Sequence, residues 1–188
     1  MCNRIYASVV METYTDCKPF IDNPNFKEDR RDMLDNLEVG GMDLPLVPLV
    51  QKINRLPYVF SLQCCHGHFL WQNGKEIKTL EPVETDTSVT YRLAYIALCI
   101  ENSSSGRRLQ QRLMNIPLFI NQDNIQFCSA QWFWDQWPNS YALQIMPERF
   151  KAFDSALTTY AEAREIAKIR DACFACVDEI VTNVSNPE

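Results

Sequence analysis

Residues 88–101 read SVTYRLAYIALCIE, and this stretch constrains the fold more than any other. It opens with alternation, Val89 and Tyr91 between polar neighbours, and then becomes apolar almost throughout. Successive side chains of a strand point to opposite faces, so alternation marks a half-exposed strand and a continuous apolar run marks one covered on both faces. The segment is therefore expected to be a strand passing from a sheet edge into a core with layers on both sides. At 188 residues, 46% hydrophobic and 22% charged, the chain can supply those layers within a single domain spanning 1–188.

The flanking sequence predicts what the layers are. NFKEDRRDMLDNLEVGG places Phe26, Met33, Leu34 and Leu37 at near-helical spacing and ends at Gly40-Gly41. DLPLVPLVQKINRL can start a helix at Asp43 as N-cap, with Leu46, Leu49, Val50 and Ile53 on one face. PYVFSLQ reads as a short buried strand, and FLWQNGKEIKTL as a hairpin closed by Asn73-Gly74. After the 88–101 strand, NSSSGRRLQQRLMNI offers hydroxyl N-caps and a helix carrying Leu109 and Leu113. NIQFCSAQWFWDQW and NSYALQIM predict an antiparallel hairpin turning at Trp137-Pro138-Asn139. From 148 to 184 an apolar stripe through Phe150, Phe153, Leu157, Tyr160, Ile166, Ile169, Cys173, Cys176 and Ile180 predicts a C-terminal helical segment. The expected class is α+β, or α/β, with a mixed sheet flanked by helices and a long C-terminal helix.

Between the first strand and the hairpin lies the chemistry. YVFSLQCCHGHF holds both histidines of the chain, His66 and His68, beside its only adjacent cysteines, Cys64 and Cys65. Three readings stay open. In the first, Cys65 is a nucleophilic or ligand-binding thiol paired with His68, because a thiol beside an imidazole at a strand end can be held as thiolate. His66 and Gln63 then orient a ligand, and Gly67 permits a tight turn and close approach. In the second, an extended backbone brings Cys64, His66 and His68 to one face as three ligands of zinc or another transition metal. In the third, the cluster is structural and the protein is a non-enzymatic interaction module. Arg107 and Arg108, at the start of the helix after the buried strand, are candidate anion-binding residues. Cys173 and Cys176 form a CxxC but fall inside the apolar stripe, and Trp132, Phe133, Trp134 and Trp137 fit hairpin and core packing better than base stacking.

The order of these pieces resembles the tRNA wybutosine-synthesizing protein 3 family of S-adenosylmethionine-dependent enzymes. The resemblance runs over about residues 26 to 147, through GMDLPLVPLVQKIN, YVFSLQCCHGHF, YIALCIENSSSGRRLQQRL and NSYALQIMP. Asp43, Asn54, Cys65 and Gly67 match at informative positions. Gln63, Cys64, His66 and His68 stand where that family has serine, serine, serine and arginine. The resemblance implies a similar fold, a site at the CCHGH segment, and S-adenosylmethionine with a nucleotide-containing substrate as ligands. The expected function is that of a diverged relative binding or acting on a small ligand at this segment.

Charge bears on partners. With 18 Lys and Arg against 24 Asp and Glu, the net charge of −6 disfavours extended tRNA binding, which draws on an excess of cations. The first twenty residues, interrupted by Arg4, Glu12 and Asp16, lack a secretory pattern, and no apolar run approaches the roughly 20 residues that span a bilayer. The expectation is a cytoplasmic protein without membrane association, whose eight cysteines are thiols rather than a disulfide framework.

Overall fold

A computed structural model describes residues 16–82, 85–121, 123–150 and 154–185. It is an α+β arrangement of two sheets flanked by helices. Helix α1 (Phe26–Asp35) ends at Asn36, and Gly40 and Gly41 belong to a separate 3-10 turn, Val39–Gly41, rather than capping it. A second 3-10 turn, Leu44–Leu46, leads into α2 (Val47–Arg55). Leu46, Leu49, Val50 and Ile53 are buried as their spacing predicts. Asp43 precedes this turn but its side chain makes no cap, so its carboxylate is left for another purpose.

Strand β1 (Val59–Cys65) runs into β2 (His68–Trp71), and β3 (Ser88–Arg92) runs into β4 (Ala94–Ile100). The apolar run is thus two strands, one in each sheet. Helix α3 (Ser104–Met114) follows, started by the Ser103 hydroxyl, which accepts from the Gly106 N–H at 3.2 Å. After the short α4 (Ile116–Phe119) comes β5 (Ile125–Ser129), then α5 (Gln131–Trp134), then β6 (Ser140–Ile145). β5 and β6 pair antiparallel as expected, but the aromatic cluster between them coils into α5. Trp134 packs edge-on against the buried Tyr141, so this aromatic group is packing.

The C-terminal segment differs from expectation at its start. Ser155–Thr159 is a strand, β7, and the helix, α6, spans Tyr160–Ser185. Leu157 is 62% exposed on the edge of its sheet instead of joining the helical stripe, and Phe153 lies outside the described residues. The larger sheet has the order β1-β4-β6-β5 and the smaller β2-β3-β7. Every pairing is antiparallel, so neither sheet is mixed.

One face of the large sheet presents Ile96, Leu98, Ile100, Leu143 and Ile145 to a core shared with α2, α3 and α6. The other face is built from small residues, Ala97, Cys128 and Ala142, beneath Trp132 and Phe133, with Phe26 of α1 against Phe60 and Cys99. Cover on both faces is why β4 carries no polar side chain other than Tyr95. Asn54, at the end of α2, holds the bulge in β1: its amide donates to Ser61 Oγ at 2.9 Å and its carbonyl accepts the Ser61 N–H at 2.8 Å. Lys52 of α2 binds Asp178 of α6 at 2.7 Å.

Candidate functional site

The CCHGH segment is a bend in a continuous strand pair. Cys65 is opposite Tyr95 in the large sheet and His68 is opposite Arg92 in the small one, so two residues on each strand are passed over without a register change. At this place both strands leave one sheet for the other. Gly67 makes the bend possible. Its φ of +83° lies where side chains other than glycine's are strained, and an added Cβ would sit 2.7 Å from the Cβ of Ala94 on the partner strand. The close approach that requires glycine is thus to the protein's own backbone. Tyr91 pins the facing corner, its hydroxyl donating to Ile145 O at 2.6 Å and accepting the Ala94 N–H at 2.9 Å.

The bend redistributes the four candidate side chains. In a straight strand Cys64, His66 and His68 would share a face; the rotation at Gly67 separates them. Cys64 packs with the main core. His66 turns to α6, stacking on Phe174 with ring centroids 5.8 Å apart and placing Nε2 3.9 Å from an Asp171 carboxylate oxygen. His68 lies between two carboxylates: Nδ1 is 2.7 Å from Glu76 Oε1 and Nε2 is 3.4 Å from Asp43 Oδ2. Among the described residues, the group of three ligand-type side chains whose donor atoms all lie within 4.8 Å of one another is Asp43, Cys65 and His68. The expected trio of Cys64, His66 and His68 is therefore corrected: Cys65 replaces Cys64, and Asp43 replaces His66.

Asp43 is the residue that sequence reasoning placed as a helix cap. Its Oδ2 accepts the His66 N–H at 2.7 Å, fastening the bend to the start of α2. Glu76 comes from the hairpin beyond β2, where Ile77 N–H bonds Phe69 O. Neither had a signal of its own in the sequence, since both depend on which loops meet the bend.

Electrostatics separate the thiols from the expected reactive pair. Burial pushes the Cys65 thiol up to about 11; the Gly67 N–H, 3.4 Å from Sγ, pulls it down in part, and the Asp43 carboxylate raises it again. Burial, with Asp43 second, also pushes Cys64 up to about 11. Both are protonated at neutral pH, whereas an activated nucleophile needs a depressed value. Burial, then the Arg170 guanidinium, lowers the His66 pKa, so that ring is neutral at pH 7. In the CxxC, Cys173 is fully buried and burial pushes it up to about 12, as packing predicts.

Of the other candidates, Gln63 lies exposed on β1, while Arg107 and Arg108 are at the far end of the sheet. In the antiparallel pair the end of β1 meets the start of β4, so α3 begins beside Val59, roughly 20 Å away at about 3.3 Å per residue. Arg107 instead bonds Asn102 at 2.9 Å, and Arg108 bonds Ser105 at 3.2 Å.

Beside the bend is an open cleft of about 690 Å³ between the start of α2, the β2 hairpin and α6. His66 and His68 line it. So do four cations, Lys78, Arg164, Lys168 and Arg170, and three carboxylates, Asp43, Glu76 and Asp171. The carboxylates are engaged, Asp43 by the His66 N–H at 2.7 Å, Glu76 by His68 Nδ1 at 2.7 Å and Asp171 by Arg170 at 2.8 Å. Arg170 also reaches Gly67 O at 3.4 Å and lies over the Phe69 ring. Lys168 pairs with Glu165, whereas Arg164 and Lys78 have no carboxylate partner among the described residues.

Fold and site together define an α+β protein with a Cys/His/Asp cluster at an inter-sheet bend. No model of a known protein family matches the sequence, and neither does any curated protein. Solved structures align with it, two proteins among them. The PH1069 protein from Pyrococcus horikoshii is 14% identical with a TM-score of 0.44, over 85% of this chain and 92% of that one. A hypothetical protein from Aeropyrum pernix is 11% identical with a TM-score of 0.41, over 76% of this chain and 96% of that one. No helix is long and apolar enough to cross a membrane among the described residues.

Proposed function

We propose that the protein binds a small, anionic, nucleotide-containing molecule in the cleft beside the bend, as a diverged relative of the tRNA wybutosine-synthesizing protein 3 family. The observation that carries the reading is the imbalance of the cleft wall. On a protein of net charge −6 it gathers four cations, two of them unpaired by any described carboxylate, against carboxylates already engaged. Its volume is in the range of small-molecule sites. Unpaired cations in a concave, partly desolvated wall favour an anion over water. His66, held neutral and stacked on Phe174, offers a ring edge to the ligand, and His68, two residues further along the same strand, lines the cleft beside it. The family resemblance makes an adenosine-bearing molecule the first to try, and S-adenosylmethionine, which has no phosphate and a net positive charge, separates the resemblance from the anion preference of the wall.

The test uses adenosine 5′-monophosphate, S-adenosylmethionine and adenosine as probes in titration calorimetry. The nucleotide is expected to bind more tightly than adenosine, because its phosphate meets Arg164 and Lys78. Arg164→Ala should weaken the nucleotide at least about tenfold, the loss of one charge-assisted contact, and leave adenosine unchanged. Arg107→Ala, at the far end of the sheet, should leave both unchanged. Absence of saturable binding for all three probes, or equal loss in the Arg164 and Arg107 variants, overturns the reading.

A further inference from the structure

We infer that Asp43, Cys65 and His68 form a zinc site, with the bend in the strand pair as its frame and Glu76 as the group that orients His68. The donor set is a thiol that releases its proton to solvent as the metal binds, an imidazole and a carboxylate, the combination that suits zinc and cobalt rather than magnesium or calcium. The imidazole-to-carboxylate distance already fits, and the sulfur is near. Two nitrogen or oxygen ligands, each about 2.05 Å from a tetrahedral zinc ion, stand roughly 3.3 Å apart, and a sulfur and a nitrogen roughly 3.5 Å. His68 Nε2 and Asp43 Oδ2 are 3.4 Å apart, and all three donor atoms lie within 4.8 Å of one another.

The hydrogen bonds outside the trio point the same way. Glu76 Oε1, an acceptor, lies 2.7 Å from Nδ1 and therefore fixes the proton there. That leaves the Nε2 lone pair facing an Asp43 oxygen, at a separation beyond the usual 2.7–3.2 Å of an N–H···O bond. The contact is met either by a second proton on the ring or by a metal ion held between the two atoms. Carboxylate-to-histidine bonding of this kind is the usual outer support of a metal-bound imidazole. The Gly67 N–H directed at Cys65 Sγ supports a thiolate, and the His66 N–H holds Asp43 Oδ2 in place. Three protein ligands leave a fourth position for water or for a group entering from the cleft, which Asp43 and His68 also line. The site does not depend on the anion-binding reading, since its ligands are complete without any organic molecule.

The experiment is a cobalt titration of untagged, metal-free protein, followed by absorption spectroscopy with no nucleotide present. One equivalent of Co²⁺ is expected to give a thiolate-to-cobalt charge-transfer band and the visible bands of a tetrahedral ion, both bleached by one equivalent of Zn²⁺. Cys65→Ser should abolish the charge-transfer band, while Cys64→Ser retains it. Glu76→Gln should retain the spectrum with affinity lowered about 10- to 100-fold. No charge-transfer band in the natural sequence, a band surviving Cys65→Ser, or one lost in Cys64→Ser overturns the inference. Should Cys65→Ser fail to fold, as far-UV circular dichroism would report, alkylation of the natural protein decides: Zn²⁺ must protect Cys65 and leave Cys17 reactive, and equal reactivity with and without the ion overturns the site.

Discussion

At the scale of single residues, Gly67 carries more of the architecture than the reactive side chains around it. A side chain there meets both the left-handed backbone and the 2.7 Å approach of Ala94. Gly74 has nearly the same φ, +79°, but an added Cβ would meet nothing within 4 Å. The two glycines therefore separate strain from crowding. Gly74→Ala is expected to cost about 1 kcal/mol, the strain of the left-handed region alone, and Gly67→Ala at least about 2 kcal/mol more, because the β1–β2 and β3–β4 corners must part. Urea unfolding of the two variants measures the difference; equal costs would show that Ala94 yields without effort. The site's legibility follows from the same residue. Cys65, His66, Gly67 and His68 are conspicuous in the sequence, and of their side chains Cys65 and His68 come together while His66 turns to α6. Which of them meet was not readable, because the rule that alternate residues share a face fails at a positive φ that the sequence marks only as one glycine. That Asp43 and Glu76 join them is not readable for a different reason: Asp43 lies 22 residues before Cys65 and Glu76 8 residues after His68, and loop meetings leave no local pattern.

At the scale of elements, segments with one environment along their length were legible and those that change environment were not. The α2 face and the Leu109–Leu113 face of α3 bury as spaced because each helix lies against one core. The run at 88–100 was read as one strand because alternation and continuous burial are both strand patterns, and the corner at Leu93 interrupts neither. Ser155–Thr159 was lost to the helical stripe because Leu157 happens to fall in helical phase with Tyr160, although it is exposed on an edge strand. The start of α3 was legible through its hydroxyls, and the structure selects Ser103 among the three. Ser103→Ala removes the acceptor for the Gly106 N–H and should destabilise the protein by about 1 kcal/mol. Ser104→Ala and Ser105→Ala, inside the first turn, should each stay within about 0.5 kcal/mol. The measurement is again urea unfolding, and a loss at Ser104 equal to that at Ser103 would place the cap wrongly.

At the scale of the whole molecule, the question is whether the anion-binding wall extends to a nucleic acid. A tRNA engages many phosphates, and each contact made by a cation contributes a slope of roughly 0.7 to 0.9 in the logarithm of affinity against that of salt. The cleft supplies four cations, of which Arg170 is turned inward to Asp171, Gly67 O and the Phe69 ring. The other cluster, Arg107, Arg108 and Arg112, is at the opposite end of the β1–β4 pair, with Arg107 held by Asn102 and lying over Phe20. Along α6, which reaches from the cleft to the neighbourhood of Arg112, stand Asp171, Asp178 and Glu179, and the chain as a whole has 24 acidic residues against 18 basic. Long-range repulsion from that excess therefore opposes a polyanion at the distances where it must first approach, while a mononucleotide, carrying one or two charges, enters the local field of Arg164 and Lys78. Labelled tRNA is expected to show no saturable binding below about 10 μM at physiological salt, and at low salt a slope of no more than about 3, the count of cleft cations left facing outward. Saturable binding at nanomolar tRNA in physiological salt, with a slope of 5 or more, would mean that the cleft is one part of a larger surface and that the nucleotide recognised there belongs to a polymer.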